Sequence, residues 1–367
     1  MSALRIGCLW AALLVAGLIS NATAGEPSIE YAPLSPTLVS IPQNLLSLMH
    51  TEEVQKDLGL SAKQLVEWEQ ALRVVDTLWW PARILPVPEQ RQVIATQEDK
   101  FLLEAKRIAG AKSVQRLRQI ELQSQGVRIL ARPEIEAFLR LNSKQSQKLR
   151  ELFSENDRQA AALAAAKPPA DAEKLKTFND AKAAEPKKAL TVLTALQKDR
   201  IRNALGTPID ITKLKRIYSF APELIDSGYW SSADRASLEA LRGKVVIVHF
   251  YAFQCHNCVA NFSHYKRWNE TLKKRGVQLI GIQTPETAAE KDPEKVSAAA
   301  LKEGFQFPVL IDVANKNWDA WGNTMWPTVY VIDKKGYIRF WWQGELNWQG
   351  ATTDQQIEAI INELVKE

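Results

Sequence analysis

The sequence predicts an α/β domain, with a mixed central sheet flanked by helices, preceded by an all-α helical domain. Three observations carry this expectation. Helical three- and four-residue apolar spacing in the first half gives way, after residue 205, to strands alternating with helices. A short capped-helix pattern recurs within the first half. In the second half the apolar run from Lys244 to Tyr251 delivers Cys255-His256-Asn257-Cys258 onto a stretch with helical spacing.

At the amino end, Arg5, the apolar stretch from Leu9 to Ile19 and the small residues Ala22-Thr23-Ala24 have the order of an export signal over residues 1–24. Cleavage after Ala24 makes the mature protein periplasmic or secreted and removes Cys8. The alternative is a retained membrane anchor over residues 9–19, a stretch too short to span a bilayer comfortably. Residues 25–48 hold Pro27, Pro33, Pro36 and Pro42 without sustained periodicity and read as an extended linker.

Residues 49–205 are expected to form the helical domain. Within it, Glu53 to Gln64 aligns without gaps on Glu134 to Gln145, and the end of the pattern returns as Leu193-Thr194-Ala195-Leu196-Gln197. The shared Leu-[Ser/Asn/Thr]-x-x-Gln is a capping box, in which the short polar residue caps the helix and Gln reaches back to the cap's own N–H. Each copy should start a helix. The pattern also resembles the LTxxQ-type helical repeats of small periplasmic stress and chaperone-like proteins, a resemblance that implies a partner-binding or spacing role. Lys167-Pro168-Pro169-Ala170 breaks the helical spacing and predicts an exposed loop.

Residues 206–367 are expected to form the α/β domain. The strand ending at Tyr251 is followed by a helix from about Cys255 to Arg275, a strand Val277 to Gln283, a helix around Pro293 to Glu303 and a strand Phe307 to Ile311. A short helix at Trp318 to Trp321 precedes a hairpin of Thr328 to Ile332 and Tyr337 to Trp342 across Asp333-Lys334-Lys335-Gly336, and a last helix spans Asp354 to Val365.

The net charge of +5 is mild for 367 residues and shows no dense Lys/Arg run, so nucleic acid is not an expected partner. After loss of Cys8, Cys255 and Cys258 are the only cysteines, and the histidines are His50, His249, His256 and His264. A zinc site needs more ligands at workable spacing than these supply, so no metal is expected. Two cysteines two residues apart at a helix start do suit thiol–disulfide exchange: their side chains meet with disulfide geometry, and helix N-terminal N–H groups favour the leading thiolate. Cys255 is therefore the expected nucleophile and Cys258 the resolving thiol. No cofactor beyond that redox-active disulfide is implied.

The Cys-x-x-Cys after a Lys-Val-Val-Ile-Val strand, with the later Trp326-Pro327-Thr328 and Val331-Ile332-Asp333-Lys334-Lys335-Gly336, resembles the thioredoxin superfamily. More closely it resembles the exported TlpA-like branch, including DipZ-type thioredoxin domains. The resemblance covers about residue 217 to the C-terminus. It implies a thioredoxin-like fold, Pro327 as a cis-proline facing the disulfide, and Trp326 and Thr328 as substrate-binding positions, with the backbone of Trp326 offered to an extended chain. It also implies an exported protein substrate and a separate redox partner, which in this branch includes membrane-bound proteins.

This chain departs from the thioredoxin pattern near the cysteines. Gln254 precedes them, and His256 and Asn257 lie between; a protonated His256 would make the couple more oxidising. His249 stands six residues before Cys255, where thioredoxins place a buried acid. Either His249 relays a proton there, or it is a core histidine and another group, such as Glu286, takes the role. Two competing functions remain. A peroxiredoxin-type peroxidase wants Thr or Ser at the position of Ala252. A binding or scaffold protein would use the helical half to hold a partner and need no exchange chemistry.

Overall fold

The computed structural model describes residue 29 and residues 40–166, 171–215, 217–232 and 234–367. The expected export signal, the 9–19 stretch, Cys8, most of the linker and the Lys167–Ala170 loop lie outside these residues. No helix among the described residues is long and apolar enough to cross a membrane.

Two compact units divide the chain. One comprises the chain up to Leu65 with Leu102–Arg216, and the other comprises Val66–Phe101 with Ile217–Glu367. These are not the contiguous blocks 49–205 and 206–367 that local texture predicted. Texture reports helix against strand, whereas the units are set by long-range packing, and helical residues 66–101 pack with the sheet.

The first unit is helical. Its buried core joins Ile41, Leu122, Ile129, Leu139, Leu149, Phe153 and Ile201, among others. The helix Leu45–His50, with Leu45, Leu46 and Met49 buried, begins inside the stretch read as linker, so the ordered unit reaches further back than residue 49. The Pro-rich composition there hid a short apolar turn.

The three capping boxes each start a helix: Ala62–Trp79, Ser143–Ala165 and Ala195–Leu205. Gln145 N donates to Asn142 Oδ1 at 2.9 Å while Asn142 N donates to Gln145 Oε1 at 3.1 Å. The Thr194–Gln197 and Ser61–Gln64 pairs repeat that exchange. Each glutamine also spends its NH₂ on another segment. Gln64 Nε2 donates to Ile108 O, Gln145 Nε2 to Val192 O and Gln197 Nε2 to Leu139 O.

The second unit holds a five-stranded sheet: β1 Val245–Tyr251, β2 Val277–Gln283, β3 Val309–Ile311, β4 Thr328–Ile332 and β5 Ile338–Gln343, in the order β3-β2-β1-β4-β5. β1, β2 and β3 run parallel, β4 runs antiparallel to β1, and β5 pairs antiparallel with β4 in a hairpin. All seven residues of β1 are buried, which explains its unbroken apolar run. Val245, Ile247 and Tyr251 face a core shared with the helices His256–Leu272 and Thr353–Leu364. Val246, Val248 and Phe250 face a second core containing Trp321 and Tyr330, with Trp80 packed against it. Helices on both faces of a mixed sheet give the thioredoxin-like fold.

Candidate active site

The site grows from the carboxyl end of β1. The chain leaves Tyr251, turns through Ala252, and Cys255 N donates to Ala252 O at 3.2 Å. Cys255 is the N-cap of the helix His256–Leu272, where unpaired N–H dipoles collect. One turn of helix carries Cys258 inward, with its N–H donating to Cys255 O at 3.0 Å.

The two cysteines are free thiols of unequal setting. Cys255 is partly exposed, while Cys258 is fully buried. Burial pushes the Cys258 thiol well up from its ordinary value, the adjacent Cys255 sulfur adds to this, a backbone hydrogen bond at Ala252 opposes it, and the charge of Glu286 acts with the burial. Such a pair has one sulfur open to a partner and one held back as a protonated thiol.

His256 and Asn257 are exposed in the first helical turn and make no side-chain hydrogen bond among the described residues. His249 lies in the middle of β1, fully buried, with its ring stacked on Tyr265 at 4.1 Å and Tyr251 at 5.1 Å. Neither ring nitrogen has a hydrogen-bond partner, and burial lowers its pKa to about 3. A neutral ring with so little affinity for a proton is a poor base for Cys258. Of the two readings of His249, the geometry fits the core histidine.

Across the sheet, the Trp326–Pro327 bond is cis. Thr328 pairs with Phe250, which places Pro327 just beyond the ladder at the end of β1 from which the cysteines depart. Pro327 O accepts from Gly344 N at 2.8 Å. Trp326 is half-buried against the core that holds Cys258 and stacks on Trp318 at 4.0 Å. Its backbone N–H and C=O have no hydrogen-bond partner among the described residues, as an added substrate strand would require. Thr328 does not match a substrate-binding side chain: it is fully buried and its hydroxyl donates to Met325 O at 2.8 Å. Its position inside the β4 ladder turns that hydroxyl back onto its own loop.

Glu286 is exposed at the turn after β2. The acid that organises this turn is Glu290, which sequence reasoning missed. It is fully buried, and its carboxylate accepts from Gln254 N at 2.7 Å and from Glu286 N and Thr287 N at 2.8 Å each. Thr287 Oγ1 also donates to Gln254 Oε1 at 2.7 Å, so the residue preceding the nucleophile is held by backbone and side chain. Asn261 was missed as well: it donates to Gly344 O at 3.2 Å and accepts from Leu346 N at 2.9 Å, fastening the cysteine helix to the segment after β5. The one available signal was polarity at positions whose spacing put them inside.

Among the described residues, no cluster of three or more His, Cys, Asp or Glu has the arrangement of a metal site.

Residues 229–341 match the AhpC/TSA family. Over 126 residues the chain is 34% identical to protein DipZ of Mycobacterium bovis, a match covering 34% of this chain and 18% of DipZ. The chain thus spans less than a fifth of that relative's length. It is 23% identical over 123 residues to the thiol-disulfide oxidoreductase YkuV of Bacillus subtilis, covering 34% of this chain and 82% of YkuV. A solved thiol-disulfide isomerase from Corynebacterium glutamicum is similar at 25% identity and a TM-score of 0.36, over 40% of this chain and 97% of that one. The C-terminal half of the chain carries a thioredoxin-like domain with thiol-disulfide oxidoreductases among its relatives.

Proposed function

We propose that the protein is an exported thiol–disulfide oxidoreductase acting on protein substrates through Cys255 and Cys258. One observation carries this reading: a partly exposed cysteine caps a helix while its partner, one turn on, is buried with its thiol pushed up.

The Cys255 thiolate attacks one sulfur of a substrate disulfide. The Cys255–substrate bond forms, the substrate S–S bond breaks, and the released substrate thiolate takes a proton. Cys258 then loses its proton and attacks Cys255 Sγ. The enzyme disulfide forms and the second substrate thiol leaves, so two electrons pass from enzyme to substrate. The reverse sequence oxidises a substrate dithiol. Burial of Cys258 delays the second attack, because the thiol must give up its proton inside the core. The open backbone of Trp326 supports an extended protein segment as substrate. A separate redox partner in the exported compartment resets the couple, and its reduction potential sets the direction of flow.

In Cys258→Ser, the resolving step is removed and a Cys255-linked mixed disulfide should accumulate with partners from a periplasmic extract. Absence of any adduct that reductant releases would defeat the mechanism. The match to AhpC/TSA gives peroxide reduction a second hearing. Ala252 offers no hydroxyl three residues before Cys255, so peroxide consumption by the purified protein should stay at background.

A further inference from the structure

The segment Trp79–Ile84 comes from the N-terminal half of the sequence, outside the 229–341 family match, yet belongs to the same compact unit as the cysteines. It carries one cation, Arg83, into the loop that leads to Trp326 and Pro327. Arg83 Nη1 donates to Trp321 O at 2.9 Å, and Nη2 donates to Gly322 O and Tyr330 Oη at 3.0 Å each. Trp80 adds its indole N–H on Trp321 O at 3.2 Å, and its ring lies under the guanidinium at 4.0 Å.

Arg83 has no carboxylate partner among the described residues, and its neighbours are carbonyls, a phenol and two indole faces. A partly buried cation held this way is anchored by the fork geometry of its donors rather than by an ion pair. From the clamped end, the loop runs through Asn323, which accepts from Tyr330 Oη at 2.6 Å, to Met325, tied by Thr328, and to Trp326. The same phenol therefore touches both the Arg83 clamp and the middle of the loop. Gly322 permits the close approach: it sits at φ +58°, and a Cβ there would lie 2.9 Å from Arg83 Nη1 and from Pro81 Cα.

We propose that Arg83 and Trp80 form a strap that positions the Trp326–Pro327 loop for polypeptide substrates, making Arg83 a positioning residue for substrate selection. The strap acts on the loop that receives an extended chain and touches neither sulfur. This inference rests on the exchange reading above, so its test separates the two.

Exchange is measured with insulin, which offers backbone to the loop, and with hydroxyethyl disulfide, which does not. In Arg83→Ala the KM for insulin should rise about tenfold with kcat nearly unchanged. The rate with hydroxyethyl disulfide and the potential of the Cys255–Cys258 couple should stay as in the native protein, and amide exchange over residues 321–326 should accelerate. Arg83→Lys keeps the charge but loses the fork and should fall between. Gly322→Ala, which drives a Cβ against Arg83 Nη1 and Pro81 Cα and strains the loop's own backbone, should reproduce the insulin defect. An unchanged insulin KM in Arg83→Lys and Gly322→Ala would overturn the inference, as would a parallel fall with both disulfides. A native protein inactive on insulin also overturns it, and one inactive on both probes removes the exchange reading with it.

Discussion

His249 sits on the central strand with two tyrosine rings against it and no polar partner for either nitrogen. Its pKa falls from 6.5 to about 3 through burial, so between those values the unfolded chain binds a proton that the folded chain refuses. The stability this residue allows is complete above pH 6.5 and is lost as the pH falls towards 3. Replacing His249 with Leu should remove about 3 kcal/mol of the stability lost between pH 7 and pH 4, read from urea unfolding at the two values. An identical pH slope in variant and native protein would contradict this. Glu290 presents the opposite case, a buried acceptor whose three backbone donors are all satisfied by it. Glu290→Ala strands those donors and should cost about 3 kcal/mol. It should also slow exchange at Cys255 by freeing Gln254, whereas Glu290→Gln, which keeps an acceptor oxygen, should recover part of both losses.

At the scale of elements, the glutamines of the capping boxes are worth more than their caps. Asn142→Ala removes one side-chain acceptor at a helix start and should cost about 1 kcal/mol. Gln145→Ala loses the return bond to Asn142 N and the bonds to Val192 O and Gln197 Oε1, so its midpoint in denaturant should fall by about twice as much. Equal losses would show that only the caps matter. These boxes were legible in the sequence because the exchange of bonds is local, confined to four residues. So were β1, the hairpin around Gly336, and Cys255 at the start of a helix, each written in spacing or turn chemistry. The contacts that complete the site were not. Glu290 meets Gln254 across 36 residues, and Asn261 meets Leu346 across 85, and no local period encodes such pairs.

The sheet-bearing unit is discontinuous in sequence, and this fixes what a fragment can do. Residues 66–101 give that unit Asp76, whose Oδ2 accepts from Phe220 N at 2.7 Å, and Arg73, whose guanidinium lies 3.9 Å from the Phe220 ring centre. They also give it Trp80 against Trp321 and Tyr330, on the face of the sheet opposite the cysteine helix. A chain cut at the texture change, residues 206–367, keeps all five strands and both cysteines but loses these partners. Phe220 N is then left without its buried acceptor, and the Trp321–Tyr330 face is opened to water. One buried hydrogen bond, one cation–ring contact and one indole together amount to about 3 kcal/mol, a large share of a domain's net stability. The fragment should therefore unfold at lower urea than the full chain and bind a dye specific for exposed apolar surface. Addition of a separate 60–105 peptide should partly reverse both effects. A fragment that unfolds at the same midpoint as the full chain, without dye binding, would show that residues 66–101 are an appendage of the thioredoxin-like unit and not a part of its core.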